Sequence, residues 1–240
     1  MRIKLNESIG TDVTKILGVE KYEPPLPAEL SGKVKGQFPS FVAKSDEERV
    51  QNLDYEELKQ HQYTVTEKLD GSSLTCYLRD GEFGVCSRNL DLIETEGNTF
   101  WKVVRSLKLE ERMREFGSNL ALQGELIGPG IQGNKYKLKN HTVRFFNVVN
   151  IDLGKRYDYC EMRTFLNVLT HEVNGPELEA VPCTHDSYRL PSTREELLDI
   201  SEGKSVLADT QREGLVFRAT DDPKMSFKAI SNKFLLKHGE

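Results

Sequence analysis

The chain has 240 residues, with 33 Lys+Arg against 38 Asp+Glu for a formal charge of −5, and it is 37% hydrophobic and 30% charged. A chain this long buries roughly 70–75% of its unfolded surface, so a core forms without staples, and 9 Pro with 18 Gly exclude a disordered or collagen-like chain. No apolar run is long enough for a membrane span or a signal peptide, and the acidic balance argues against a passive nucleic-acid coat but not against a local basic groove.

Residues 1–44 read as irregular, because Pro24, Pro25 and Pro27 block helix and central strand and Gly32 and Gly36 follow. The expected organisation is a linker or tail over 1–30 and one catalytic domain over 31–240. A first helix is expected from Ser45, with Glu48 completing a capping box and Val50, Leu53 and Leu58 forming its apolar stripe. Strands follow at 63–68, 73–78 and 83–87, the last two joined at Asp80-Gly81, a strong hairpin signal. Residues 99–116 read as one helix, with Trp101, Val104, Leu107 or Leu109, Met113 and Phe116 at helical spacing and Gly117 as its stop. Further strands are expected at 120–127, 143–151, 214–219 and 225–230. Helices are expected at 160–173 and 193–201, the second capped by Ser192 or Thr193, with a short Lys-rich helix at the end. Strands outnumber helices and cluster as hairpins, which indicates an α+β domain built on antiparallel sheets. Cys76, Cys86, Cys160 and Cys183 show no C-x-x-C spacing; free thiols in a reducing, intracellular setting are the reading.

The sharpest local signal is Glu67-Lys68-Leu69-Asp70-Gly71. If 63–68 is a strand, Lys68 and Asp70 share a face near its end, and Gly71 permits a sharp turn. A lysine there, facing a cavity beside a carboxylate, suits a covalent nucleophile. By itself the tetrapeptide also fits an exposed strand end and turn. Five more elements follow in order: Ser87-Arg88-Asn89, Gly124-Glu125-Leu126, Arg144-Phe145-Phe146, Glu213-Gly214-Leu215 and Phe227-Lys228-Ala229.

This ordered series resembles the covalent nucleotidyltransferase superfamily of polynucleotide ligases and capping enzymes. In detail it is most similar to ATP-dependent, nick-sealing RNA ligases with an OB module before the catalytic domain; Gly18 to Pro25 and Asp46 to Asn52 carry that likeness. The resemblance implies antiparallel sheets flanked by helices with a nucleotide cleft between them. It implies ATP as AMP donor, Mg2+ or Mn2+, and RNA with 3′-hydroxyl and 5′-phosphate ends at a nick, handled by a monomer away from membranes. The upstream module is absent, so the chain reads as the catalytic domain alone, with self-adenylylation expected to survive and sealing to weaken. A DNA ligase or capping-type enzyme, and a non-catalytic nucleic-acid-binding module, are the alternatives.

The chemistry assigns roles. A lysine that attacks phosphorus must be neutral, which for a free amine near pKa ~10.4 asks for a downshift of roughly 3 units, about 4 kcal/mol, at pH 7.5. Burial and cations supply such a shift and Asp70 opposes it; Lys228, Arg88 and a metal are the cations in prospect. Lys228 is placed on the α-phosphate. Glu125 and Glu213 each interrupt an apolar strand and so need partners. Their expected role is a shared metal site with Asp70, held largely through water.

The resemblance adds Glu125 on the ribose hydroxyls, Arg88 near phosphates or ribose and Asn89 on the phosphate or nucleic-acid side. Phe146 stacks on adenine while Phe145, on the opposite strand face, is core. Val216 covers the other side of the ring, and backbone groups at Thr66 and Glu67 read the base. Arg49 reaches the outer phosphates, or is a helix-surface charge paired with Asp46 or Asp54. The loop from Asn134 to Arg144 carries Lys135, Lys137, Lys139, Arg144 and an embedded Tyr136 without an acid. That pattern suits contact with an RNA backbone, or a solvated loop.

Overall fold

The computed structural model describes Ile16, residues 32–222 and residues 225–238. The linker expected over 1–30 and the Gly18 to Pro25 segment lie outside the described residues.

β1 (Val34–Gln37) and β2 (Glu48–Arg49) precede a short α1 (Tyr55–Leu58). β3 (Gln62–Lys68), β4 (Ser72–Arg79), β5 (Glu82–Cys86) and β6 (Leu90–Leu92) come next. After them come α2 (Thr99–Ser106), α3 (Leu109–Phe116), β7 (Leu120–Ile127), β8 (Thr142–Asn150), β9 (Lys155–Arg156) and α4 (Tyr159–Glu172). β10 (Glu179–Ala180), β11 (Cys183–Arg189), α5 (Arg194–Ser201), β12 (Gly214–Ala219), β13 (Ser226–Ile230) and α6 (Asn232–His238) complete the order.

Among the described residues the strands form two sheets. The larger has eight strands in the order β1-β6-β5-β4-β7-β8-β10, with β9 on β8; the smaller has five, β11-β3-β12-β13-β2. Pairing is antiparallel except for β10 on β8 and β2 on β13. The α+β architecture expected from the sequence is therefore present.

Each sheet buries one face under helices. On the larger sheet Leu74, Cys76, Leu122, Phe145 and Val148 pack against Trp101, Val104, Leu109, Met113, Phe165 and Leu169 from α2, α3 and α4. On the smaller, Tyr63, Val65, Leu215, Phe217 and Phe227 pack against Val50, Tyr55, Leu58 and Leu197. The period of two along each strand then turns the alternate residues toward the space between the sheets. A third apolar cluster of Leu69, Ile127, Tyr136 and Val181, with Phe146 beside it, joins the sheets at one side of that space.

Local chemistry explains the punctuation. Asp80 (φ 51°) and Gly81 (φ 81°) occupy the left-handed region that a two-residue hairpin demands. Asp158 with Glu161 and Thr193 with Glu196 form capping boxes that start α4 and α5.

Three expectations are corrected. The helix expected from Ser45 does not form, because Glu48 and Arg49 pair in parallel with Phe227 and Lys228 of β13. The buried Val50 and Leu58 are reached by a 3-10 turn at Val50–Asn52 and by α1, whose N-cap is Asp54. The single helix over 99–116 is two, broken at Lys108 (φ 52°). Leu107 and Leu109 are both buried, two positions that one regular helix points ~200° apart; the break turns both to the core. Six strands were not anticipated, and β11 is the longest of them. Its sequence, Cys-Thr-His-Asp-Ser-Tyr-Arg, carries no apolar alternation because it is a largely exposed edge.

Candidate active site

The inner faces of the two sheets bound a cleft of about 650 Å³. β3 places Lys68 at its end, and cross-strand register builds the floor around it. Thr66, Val216, Lys228 and Arg49 are successive partners across β3, β12, β13 and β2, so they form one transverse row. Lys68, Gly214 and Ile230 form the next row on the same face, two residues along. Gly214 is required between them: a Cβ there would lie 2.2 Å from the Ala229 carbonyl oxygen.

The opposite wall comes from the larger sheet. Gly71 brings the turn after β3 onto β7, where a Cβ would stand 2.5 Å from the Leu126 carbonyl oxygen and 2.9 Å from Glu125 Cγ. Its φ is not positive, so close approach and not turn geometry demands glycine. Glu125 faces the cleft on β7, opposite Ser73. In β8 the register slips, with Asn147 opposite Gln123 and Phe145 opposite Gly124. Phe146 is the extra residue of this bulge, and a bulge re-aims the side chain it carries. Phe145 is fully buried in the helix-side core, whereas Phe146 is half-buried and lines the cleft.

Electrostatically the centre of the cleft is an alternation of lysines and carboxylates. Lys68 Nζ lies 2.7 Å from Glu213 Oε1. Burial acts to lower the Lys68 pKa, but Glu213, Glu125 and Asp70 outweigh it and the net shift is upward. The expected downshift is thus corrected for the ligand-free cleft: carboxylates outnumber cations around this amine. Arg88 is not among those cations, since its guanidinium pairs with Asp46 at 2.8 Å and is largely exposed. Lys228 shifts the other way, lowered by burial and by the charges of Lys68 and Arg49. Glu125 is pushed up to about 8, by burial and by Glu213 and Asp70, against the pull of Lys68.

Asp70 is held from two sides. Its amide donates to Tyr136 Oη at 2.8 Å, and its carboxylate pairs with Lys135. Among the described residues no three His, Cys, Asp or Glu side chains converge closely enough to cage a bare ion. Asp70, Glu125 and Glu213 do surround one amine, and such hard oxygen donors fit a divalent cation that keeps its waters. Two ammonium groups, Lys68 on Glu213 and Lys135 on Asp70, hold positive charge against that carboxylate set.

Other expected residues are placed as follows. Arg49 is a strand residue beside Lys228 and not a helix-surface charge. Asn89 lines the cleft and its Oδ1 accepts from Lys44 Nζ at 2.7 Å. Glu67 turns away from Lys68; its Oε2 accepts from the Val206 amide at 2.8 Å, and burial raises its pKa. The Glu67 amide donates to Pro182 O at 2.8 Å, so it is not a free donor for a base. In the basic loop Lys137 and Lys139 are exposed. Lys135 and Tyr136 are not on that surface: both turn inward, to Asp70.

Residues that sequence reasoning missed complete the walls. Arg218 bonds the Phe146 carbonyl oxygen and lies 3.1 Å from Glu47, tying β12 to the β8 bulge. Glu47 also accepts from Ser226 Oγ at 2.5 Å. The alternation Val216, Arg218 on β12 was the signal available for Arg218. Gln132, held at φ 44°, also lines the cleft; nothing in its flanking sequence marked it.

The RNA ligase family model matches residues 61–230, more than half of the chain. No curated protein matches in sequence. Among solved structures, a Naegleria gruberi RNA ligase variant without ligand is 43% identical with TM-score 0.81, over 98% of this chain and 69% of that one. A variant of the same ligase with AMP and Mn is 44% identical (TM-score 0.81; 97% of this chain, 68% of that one). The same ligase with PPi is 42% identical (TM-score 0.80; 97% and 68%).

Proposed function

The chain belongs to the RNA ligase family, and from that premise we propose that Lys68 is the nucleophile of an ATP-dependent RNA ligase and carries AMP as a covalent intermediate. The observation that supports this most is the position of Lys68. It stands at a strand end, inside a cleft, with Glu213, Glu125 and Asp70 around it and Lys228 and Arg49 in the adjoining row. The likeness to ligase structures holding ATP and Mn or AMP and Mn supports those ligands.

Lys68 Nζ attacks the α-phosphorus of ATP; the N–P bond forms and the bond to the pyrophosphate oxygen breaks. An RNA 5′-phosphate oxygen then attacks the same phosphorus, and Lys68 leaves with its electron pair. A 3′-hydroxyl next attacks the 5′-phosphate and AMP departs. Lys228 and Arg49 receive the negative charge of the phosphates in the first step. Phe146 and Val216 supply apolar faces for adenine, and Thr66 is the cross-strand partner of Val216, two residues before Lys68 on β3. Arg88 and Asn89 sit at the rim toward the phosphates.

Asp70, Glu125 and Glu213 are the residues that would hold a hydrated divalent cation. When bound, such a cation supplies positive charge that lowers the Lys68 pKa and neutralises the polyphosphate. Lys137 and Lys139 present exposed charge to an RNA backbone. The substrate we propose is a nick with 3′-hydroxyl and 5′-phosphate ends, sealed by a monomer. The test is a panel of nicked duplexes with RNA or DNA on the 3′-hydroxyl side, given ATP and Mn2+ or Mg2+. RNA-dependent joining, however slow, supports the reading; joining of DNA alone, or neither joining nor an adenylate on the protein, overturns it.

A further inference from the structure

The loop between β7 and β8 spans residues 128–141 and is set in a demanding backbone conformation. Gln132 (φ 44°), Asn134 (φ 48°) and Lys137 (φ 53°) all lie in the left-handed region, which side chains other than glycine and asparagine rarely adopt. Local bonds keep it there. The Asn134 side chain accepts from the Leu138 amide at 3.0 Å and donates to the Leu138 carbonyl at 2.9 Å, and His141 Nε2 lies 2.7 Å from Pro129 O. The result is that Lys135 and Tyr136 point into the molecule while Lys137 and Lys139 point out.

Lys135 is seated with care. Its ammonium pairs with the Asp70 carboxylate, and the two side chains are only 18% and 10% exposed. It also lies over the ring of Phe234, 4.4 Å from the centroid, and Phe234 is buried at the start of α6. The neighbouring Tyr136 hydroxyl accepts from the Asp70 amide. A charge pair this dry, with an aromatic face beneath the cation, persists in one arrangement.

We propose that Lys135 is a tethered counter-cation for Asp70, and that a hydrated divalent cation competes with this ammonium for the carboxylate. This rests on the reading of Asp70 as one of the cation-holding residues. The protein thereby carries its own positive charge where the metal is needed. Metal uptake at Asp70 frees Lys135, which stands two residues from Lys137 on the exposed side of the loop. Lys135 is a positioning residue and takes no bond-making step.

The test measures Mn2+ binding to the nucleotide-free chain by the loss of the free-ion paramagnetic signal. Removing one neighbouring positive charge at this depth is expected to tighten binding about tenfold in Lys135→Gln. Lys135→Arg, which keeps the charge, should bind as the native chain does. In an Asp70→Asn background the Lys135→Gln change should have no effect. Equal or weaker Mn2+ binding by Lys135→Gln, or the same gain without Asp70, overturns the proposal. A second measurement needs no variant. In the native chain Lys135 should acetylate more slowly than Lys137 and Lys139, and severalfold faster once Mn2+ is added; an unchanged rate overturns the proposal. Labelling with ATP separates this from the ligase reading: a chain that binds Mn2+ as predicted but never becomes adenylylated sinks that reading and leaves this one standing.

Discussion

Lys68 and Glu125 face each other across the cleft with opposite titration problems. Lys68 is buried, which favours the neutral amine, yet Glu213, Glu125 and Asp70 hold its proton on. In the metal-free chain its reaction with an amine reagent should therefore have a pH midpoint above the ordinary 10.5. Glu213→Gln removes the largest raising charge, so that midpoint should move to lower pH; peptide mapping of the modified lysine across pH reads it, and an unmoved midpoint contradicts the assignment. Glu125 has its folded pKa raised to about 8 from an ordinary 4.5. Between those values the folded chain binds more protons than the unfolded chain, so this group's contribution to stability falls as pH rises from 4.5 to about 8 and is flat above. Glu125→Gln should accordingly raise the Tm of the metal-free chain at pH 8, by about 2–4 °C for each kcal/mol recovered, and should change it little at pH 4.5. A Tm that falls at pH 8 would show that Glu125 is satisfied as it stands.

Strands carry the site, and their registers decide which substitutions disrupt it. Gly214→Ala drives a methyl group into the Ala229 carbonyl oxygen, 2.2 Å away in the β12–β13 pairing. A shift there separates the Lys68 row from the Lys228 row. The expected cost is about 2–4 kcal/mol of stability, read as a lowered Tm, together with slower adenylylation at temperatures where the chain is still folded. The bulge in β8 makes a second, sharper contrast. Phe145→Ala should cost about 3–5 kcal/mol, because it empties a buried core position. Phe146→Ala should cost far less stability and should instead raise the KM for ATP. Comparable Tm losses with no change in KM would remove Phe146 from the nucleotide site. Alternation alone told that these two aromatics face opposite ways. Which of them faced the cleft followed from the motif, and the bulge that aims Phe146 has no local signature. β13 was legible because Phe227 and Ala229 alternate with Ser226 and Lys228, and β12 because Leu215-Val216-Phe217 is a short apolar run of β-forming residues. β2 was not, since two residues of pairing with β13 overrode a capping box that reads as helical by itself.

At the scale of the whole molecule, a chain of formal charge −5 draws its chemistry from a local arrangement that its net charge conceals. Two sheets, each covered on one face by helices, leave their inner faces to form a cleft where Lys68, Lys228 and Arg49 meet Asp70, Glu125 and Glu213. The order of the sequence elements carried the family and the cleft-lining residues, because each element is a strand end or strand face whose neighbours are fixed by pairing. The contacts that close the cleft were not legible. Arg218 on the Phe146 carbonyl and Lys135 on Asp70 join residues 72 and 65 positions apart, and neither pairing follows from spacing, period or turn chemistry. The most direct test of the account is mass spectrometry of the native chain after incubation with ATP and Mn2+, with peptide mapping at neutral pH. The account predicts one adenylate, on Lys68, lost in Lys68→Ala; an unmodified chain, or an adenylate mapped to any other residue, contradicts it.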